Sequence, residues 1–271
     1  MTHHSGSDLK ELMARLCEVA AQETLPRFRH TATLSNVTNK LEAGFDPVTE
    51  ADKQAEKAIR TVLKEVVPNH GIVGEEWGSE NDGAEYVWVL DPIDGTRAFI
   101  SGIPVWGTLI GLYRNGKPYA GTMDQPHMGE RFIAVPDENG TLKAQLLNRH
   151  DDPVPLNTAE TSDLAAAKLM TTDPFLFAAD EQPRFDALSE KVQLARYGCD
   201  CYAYCMLAAG QVDLVVESGL NAYDIAALIP IIEGAGGIVT TWQGEDAAQG
   251  GQILAAANTK LHSQAMAVLA K

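Results

Sequence analysis

Apolar residues recur at helical spacing in two stretches near the start of the chain. Leu9, Leu12, Met13, Leu16, Val19 and Ala20 predict an amphipathic helix over Asp8–Phe28, with Ser7 or Asp8 as cap and Pro26 near its end. Ala51, Ala55, Ala58, Ile59, Val62, Leu63 and Val66 predict a second helix over Glu50–Val67, capped by Thr49 and closed by Pro68. Between them Thr31–Pro47 is polar, carries Gly44 and has no period, so it reads as a connection or as a loop that closes over a site. The pattern then turns to short apolar runs. His70–Gly74 and Tyr86–Leu90 read as strands around a polar loop, Ser79–Glu85. Strand signals dominate Val105–Val135, with Asn115-Gly116 between two apolar runs as a hairpin turn.

Pro136–Pro155 is polar and turn-rich. Beyond it, strands are expected at Leu169–Thr172, Val212–Glu217, Ile238–Thr240 and Ile253–Ala255. Helices are expected at Asp180–Gln193, Cys201–Ala209, Tyr223–Glu233 and Thr259–Lys271. This alternation predicts an α/β half. The expected organisation is an N-terminal α+β half, residues 1–148, and a C-terminal α/β half, residues 149–271, within a chain of 271 residues.

Composition narrows the function classes. No apolar run reaches the roughly 20 residues that span a bilayer, and Met1–Ser7 is polar without an apolar signal core, so a cytoplasmic location is expected. His3 and His4 suggest no role. The net charge of −16 opposes binding to nucleic acid or anionic membranes. It also opposes binding of a phosphate ester, unless divalent cations on clustered carboxylates supply local positive charge. The same charge serves solubility, so alone it decides nothing. Cys17, Cys199, Cys201 and Cys205 include no C-x₂-C pair, and Cys199, Cys201 and Cys205 have poor zinc spacing. Free thiols in a reducing compartment are expected.

The sharpest chemical feature is Asp91-Pro-Ile-Asp94-Gly-Thr96, two carboxylates three residues apart directly after an apolar strand. Pro92 and Gly95 make a tight corner, from which both carboxylates can converge on a hard cation such as Mg²⁺. The same sequence is also a good turn. Glu75 and Glu76 follow a strand, either as a solvated loop pair or as acids awaiting a cation. Asp224 opens an apolar helix, and Thr49 and Asp52 open another; for these a capping role is the plain alternative.

Val48-Thr-Glu-Ala-Asp52, Gly74-Glu-Glu76, Trp88-Val-Leu-Asp-Pro-Ile-Asp-Gly-Thr96 and Ala222-Tyr-Asp224 occur in the order and approximate spacing of the inositol monophosphatase superfamily. The chain resembles that family from about Asp8 to its C-terminus. The resemblance implies an α/β sandwich with αβαβα layers, Mg²⁺-dependent phosphomonoesterase activity with two or three Mg²⁺ per site, and a homodimer. It implies that Glu75, Asp91 and the Ile93 carbonyl hold one metal, and that Asp91, Asp94 and Asp224 hold another. Asp52 and Thr96, with Glu75, would serve the attacking water. Asp94 and the Gly95 and Thr96 N–H groups would meet the substrate phosphate end, and Glu217 a substrate hydroxyl. The flanks Thr96-Arg-Ala-Phe-Ile100 and Arg196-Tyr-Gly-Cys-Asp-Cys-Tyr-Ala-Tyr204 look like the histidinol-phosphatase branch, where inositol monophosphatases more often carry Thr-Asn-Phe for Arg97-Ala-Phe99. Cys199, where Gly is commoner, and an Ala-Gly-Phe insertion before Asp46 depart from the pattern.

The implied reaction is hydrolysis of L-histidinol phosphate to L-histidinol and phosphate. Asp200 and Glu217 suit a cationic alcohol, although Asp200 is also a natural helix cap, and Arg196 and Arg97 would face phosphate or pair with surface acids. Rival readings are an inositol, sugar or nucleotide monophosphatase on the same scaffold, and a non-catalytic Mg²⁺-binding interaction protein. Gly234-Ala-Gly-Gly237 lacks the full dinucleotide fingerprint, and no G-x-S-x-G elbow or P-loop is present.

Overall fold

The computed structural model describes residues 6–30, 38–39, 47–148 and 152–270. Helix α1 spans Gly6–Thr24. Strands β1 (Thr38–Asn39) and β2 (Pro47–Val48) pair antiparallel just before α2 (Glu50–Val66). The segment expected as a connection or closing loop otherwise lies outside the described residues. Next come β3 (Gly71–Gly74), β4 (Gly78–Glu80), β5 (Tyr86–Asp94) and the five-residue α3 (Thr96–Ile100). Strands β6 (Gly107–Arg114), β7 (Lys117–Gln125), β8 (Glu130–Pro136), β9 (Leu142–Asn148) and β10 (Val154–Pro155) follow. The remainder is β11 (Lys168–Thr171), α4 (Gln182–Ser189), β12 (Leu194–Tyr197), α5 (Asp200–Ala208), β13 (Leu214–Leu220), α6 (Ala222–Ile225), α7 (Leu228–Gly234), β14 (Ile238–Thr241), β15 (Gly251–Ala256) and α8 (Thr259–Leu269).

Two sheets stack between three helical layers. One has the order β10-β9-β8-β7-β6-β5-β3-β4 and is antiparallel except where β3 meets β5. The other has the order β12-β11-β13-β15-β14, with β11 parallel to both its neighbours. Strand alternation sorts the side chains. Trp88, Leu90, Ile110, Leu112 and Ala120 face α1 and α2, where they meet Leu9, Leu16, Ile59 and Leu63. Leu109, Met123 and Phe132 face the opposite way, onto the central layer of α5, α6 and α7, whose other side meets Val215 and Ile253 of the second sheet. Leu169, Leu214 and Leu254 then face α4 and α8. The layers are thus αβαβα.

The central layer sits unusually close to the first sheet. Gly111 and Gly121 are register partners on β6 and β7. A Cβ on Gly121 would lie 2.1 Å from the Ala227 carbonyl oxygen, and one on Gly111 would lie 2.8 Å from the Ala226 Cβ. Only glycine permits this contact, and it presses the α6–α7 junction, with Asp224 just before it, against the sheet that carries Asp91.

Several elements differ from the sequence expectation. Helix α1 starts at Gly6, so Ser7 and Asp8 lie inside its first turn, and it ends at Thr24 ahead of Pro26, which cannot continue it. Ser79–Glu85 was expected as loop, yet Gly78–Glu80 pairs with β3; the strand is exposed and carries no apolar signal. The polar segment Pro136–Pro155 holds β9 and β10, the outer strands of the large sheet. The helix expected over Asp180–Gln193 covers only Gln182–Ser189, and the exposed edge strand β12 follows it. The helix expected over Tyr223–Glu233 breaks between Ile225 and Leu228. Pro230 explains the break, because its ring clashes with the carbonyl of residue 226 in a continuous helix. The Asn115-Gly116 hairpin forms with both residues at positive φ. All four cysteines are free. Among the described residues no helix is long and apolar enough to cross a membrane.

Candidate metal centre and substrate cleft

Asp91 lies near the end of β5 on the face turned towards the central layer, opposite Leu109 of β6. The register slips between Asp91 and Asp94, and this irregularity turns the chain into a corner. The corner is held from within: the Ile93 N–H donates to Asp91 Oδ1 at 3.1 Å, Thr96 Oγ1 donates to the Ile93 carbonyl at 3.1 Å, and Thr108 Oγ1 donates to the Pro92 carbonyl at 2.8 Å. Gly95 caps α3 at φ +83, a left-handed conformation that favours glycine. A Cβ there would also lie 3.1 Å from the Asp200 side chain, so Gly95 lets α5 approach the corner.

Three elements deliver carboxylates to one point. Asp91, Asp94 and Asp224 present oxygens that all lie within 4.8 Å of one another. Asp94 Oδ2 accepts the Cys201 N–H at 2.7 Å, which ties the corner to the start of α5. Asp224 is the third residue of α6, and its Oδ2 accepts the Asn221 N–H at 2.6 Å. Glu75 follows β3, its N–H donates to the Leu90 carbonyl at 3.2 Å, and its carboxylate bears on both Asp91 and Asp224. Burial, and then the neighbouring Glu75, Asp94 and Asp224, push the Asp91 carboxyl well above the usual carboxylate range. Burial, Asp200 and Asp224 do the same to Asp94. Burial carries Asp224 up to about 6, with the Asn221 N–H pulling the other way.

Like charges this close, one buried and two half-buried, are costly without a counter-charge. An all-oxygen donor set without thiolate or imidazole fits a hard cation such as Mg²⁺. The residues present therefore fit a metal held by Glu75, Asp91, Asp94 and Asp224.

Asp52 stands at the edge of this cluster. It is the third residue of α2, and its Oδ2 accepts both the Thr49 N–H at 2.9 Å and Thr49 Oγ1 at 2.6 Å. Burial raises it to about 7, the Thr49 donors oppose this, and Glu76 and Glu75 add to it. Glu217 lies on β13 in the second sheet, where Thr171 Oγ1 and the Thr172 N–H donate to it at 3.2 and 2.5 Å. Burial carries its carboxyl up to about 7 against those donors, with Asp200 adding to the rise. Asp200, at φ +44, is raised to about 6 by burial, and Arg97 draws it back. Arg97 itself reaches Asp173 at 3.9 Å. Arg196 is exposed on the edge strand β12 beside Cys199, and no hydrogen bond or ion pair among the described residues brings it to the carboxylates.

Sequence reasoning missed the clamp beneath Glu75. Glu56 and Arg60, one turn apart on α2, form a buried ion pair at 2.8 Å. The Glu56 carboxylate also accepts the Glu76 and Trp77 N–H groups at 2.8 and 3.2 Å, fixing the turn after β3. Arg60 reaches the Gly78 carbonyl and Glu80. The signal was an opposite-charge pair at i, i+4 within an apolar helix face.

The family model for the inositol monophosphatases matches residues 8–271. This chain belongs to the inositol monophosphatase family. It is therefore placed among metal-dependent phosphatases, and the fold agrees: the inositol monophosphatase of Zymomonas mobilis superposes with a TM-score of 0.84 at 38% identity over 100% of both chains. The bifunctional phosphatase IMPL2 of Arabidopsis thaliana, a chloroplastic protein, is 44% identical over 82% of this chain, which spans only 65% of that relative's length. A histidinol-phosphatase of Mycobacterium tuberculosis is 30% identical over 94% of this chain and 96% of its own. A Nus factor SuhB of Pasteurella multocida is 32% identical over 75% of each. Family members with such different names share the scaffold, so membership fixes the reaction class and leaves the substrate to the cleft.

Proposed function

We propose that the chain hydrolyses L-histidinol phosphate to L-histidinol and phosphate. The observation that carries this reading is the placement of two further acids, the half-buried Asp200 and the buried Glu217, beside a carboxylate cluster already able to hold cations. A neutral polyol gives such acids nothing to neutralise, whereas the amine and imidazole of histidinol do. The histidinol-phosphatase relatives support the same choice.

In this reading Glu75, Asp91, the Ile93 carbonyl, Asp94 and Asp224 hold Mg²⁺, two or three ions per site. Bound there, Mg²⁺ supplies charge neutralisation and Lewis-acid polarisation of the phosphoryl group. The chain's own residues do the rest. The Gly95 and Thr96 N–H groups at the start of α3 take the phosphate oxygens. Asp52 Oδ2 is occupied by Thr49, which leaves Oδ1 to receive a proton from the attacking water. A carboxyl raised to about 7 suits that transfer near neutral pH. Thr96 orients the same water. Water attacks phosphorus in line, the phosphorus–oxygen ester bond breaks, the leaving alkoxide takes a proton from solvent water, and Asp52 then returns its proton to solvent. Glu217 and Asp200 hold the cationic end of the substrate.

The test is phosphate release with Mg²⁺ from L-histidinol phosphate and from myo-inositol 1-phosphate, with Asp94→Asn as control. Efficient turnover of the first, dependent on Mg²⁺ and Asp94, is expected. A preference for the inositol ester would overturn the substrate and leave the metal chemistry standing.

A further inference from the structure

Tyr204 closes the flank Arg196–Tyr204 and has been given no role of its own, yet its helix begins at the site. It sits on α5 one turn beyond Asp200 and Cys201, is 3% exposed, and packs in the core between the two sheets. Residues three and four apart share a helix face, and helical side chains lean back towards the N-terminus. The ring therefore runs towards the end of α5 whose Cys201 N–H donates to Asp94. On the facing sheet, Glu217 shares its side of β13 with Val215, a member of the same core cluster. The charge that weighs most on the Tyr204 hydroxyl is Glu217, followed by Asp94 and Asp224.

That hydroxyl is buried and has no hydrogen-bond partner. An unpaired buried hydroxyl costs stability, and phenylalanine would fill the same space without that cost. Packing alone does not account for the oxygen. A phenol can donate, and Glu217, Asp94 and Asp224, whose charges act on it, are carboxylates, which accept.

We propose that Tyr204 is a positioning residue that joins the substrate pocket to the metal centre: in the loaded site its hydroxyl donates into the Glu217–Asp94–Asp224 carboxylate group and fixes the spacing between the substrate-facing acid and the metal-facing pair. The proposal rests on the metal site described under the proposed function. It adds that metal affinity and substrate affinity pass through a shared core-side donor.

The test uses the full chain and the variants Tyr204→Phe and Tyr204→Met. Mg²⁺ binding is measured by calorimetry, thermal midpoints are taken with chelator and with Mg²⁺ plus inorganic phosphate, and KM is separated from kcat on the preferred ester. Without cation, Tyr204→Phe is expected to melt at or above the parent, since it removes an unpaired donor. With Mg²⁺, its Kd is expected to rise about tenfold, the size of a lost hydrogen bond to a charged group. KM should rise with it, while kcat changes less. Tyr204→Met should match Tyr204→Phe in Mg²⁺ affinity. If Tyr204→Phe keeps the parent's Mg²⁺ affinity and KM within about twofold while the parent binds Mg²⁺, Tyr204 is a packing residue and the proposal falls alone. A weakened Tyr204→Met beside a normal Tyr204→Phe has the same meaning. If the parent itself binds no Mg²⁺, the metal-site reading falls and takes this one with it.

Discussion

Asp52 and Asp224 are each the third residue of a helix, and each accepts the N–H of the residue that precedes its helix. Beyond that they diverge. Helix α2 has 17 residues and a strong apolar stripe, and Thr49 gives Asp52 two donors. Helix α6 has four residues; Asn221 and Asp224 form the same reciprocal capping box, but the direct side-chain contact between them is long, at 3.4 Å. A four-residue helix leaves nearly all its own N–H groups orphaned and has almost no propagated hydrogen bonds for a cap to consolidate. Asp224 is placed instead by the glycine pair that draws the α6–α7 junction onto the sheet. Capping and function are thus compatible at one residue, and the length of the helix behind an acid shows which of the two its local bonds mainly serve.

The sharpest way to break this comparison is to neutralise each acid in turn. Asp224→Asn should lower phosphatase activity by at least about a hundredfold and weaken Mg²⁺ binding, because it removes a metal-facing oxygen. The same change should raise the metal-free thermal midpoint by a few degrees, roughly what relief of about 1 kcal/mol of repulsion gives in a chain of this size. Asp52→Asn should lower kcat while leaving Mg²⁺ affinity within about threefold. Equal losses of Mg²⁺ affinity in the two variants, measured by calorimetry, would put both acids in the metal shell and end the distinction.

Glu217 sharpens the comparison from outside the helices. It is a buried acid held by two donors from the end of β11, and its carboxyl is raised to about 7 from an unfolded value near 4.5. The folded chain therefore holds this proton more firmly than the unfolded one. Stability from this group is fully present below about pH 4.5 and is lost as pH rises through about 7. Glutamine keeps an acceptor for the Thr172 N–H and does not ionise. In chelator, Glu217→Gln should gain stability over the parent as pH rises from 4.5 to 7, reaching roughly 2–3 kcal/mol by pH 8. Thermal melts across that range decide it, and a difference that does not change with pH would remove Glu217 as the titrating group.

The Asp91–Thr96 corner was legible because its motif is local: two acids and two turn residues within six positions encode both the turn and its charge, whereas Glu75 and Asp224 joined it only through the resemblance. Most elements were legible from apolar periodicity, and their αβαβα layering from the resemblance. What stayed hidden was non-local or exposed. The strands β4 and β12 lie at sheet ends and show little apolar pattern, so nothing in their composition separates them from loops. The break before α7 needed Pro230 to be read as a clash four residues upstream. The Glu56–Arg60 pair shows its i, i+4 spacing, but its hold on the turn after β3, like the unpaired Tyr204 hydroxyl, depends on what packs against α2 and α5. Arg196 shows the reverse: a charged residue read near a motif stands on an exposed edge strand, where spacing along the chain alone does not say what it meets.

The smallest effect separates the two helix starts most directly. Thr49→Ala removes the hydroxyl that accepts the Ala51 N–H at 3.1 Å and donates to Asp52. It should cost about 1 kcal/mol, as loss of a helix cap does, and should lower kcat because Asp52 loses one of the donors that hold it. Asn221→Ala keeps the backbone N–H that binds Asp224 and removes the side-chain half of a capping box on a four-residue helix, with an exposed, long contact to Asp224. Its cost should stay within about 0.5 kcal/mol, as for a surface substitution. Denaturant melts of the two variants side by side give the answer. A cost at Asn221 as large as that at Thr49 would mean that α6 depends on its cap after all, and that the glycine contact alone does not hold Asp224 in place.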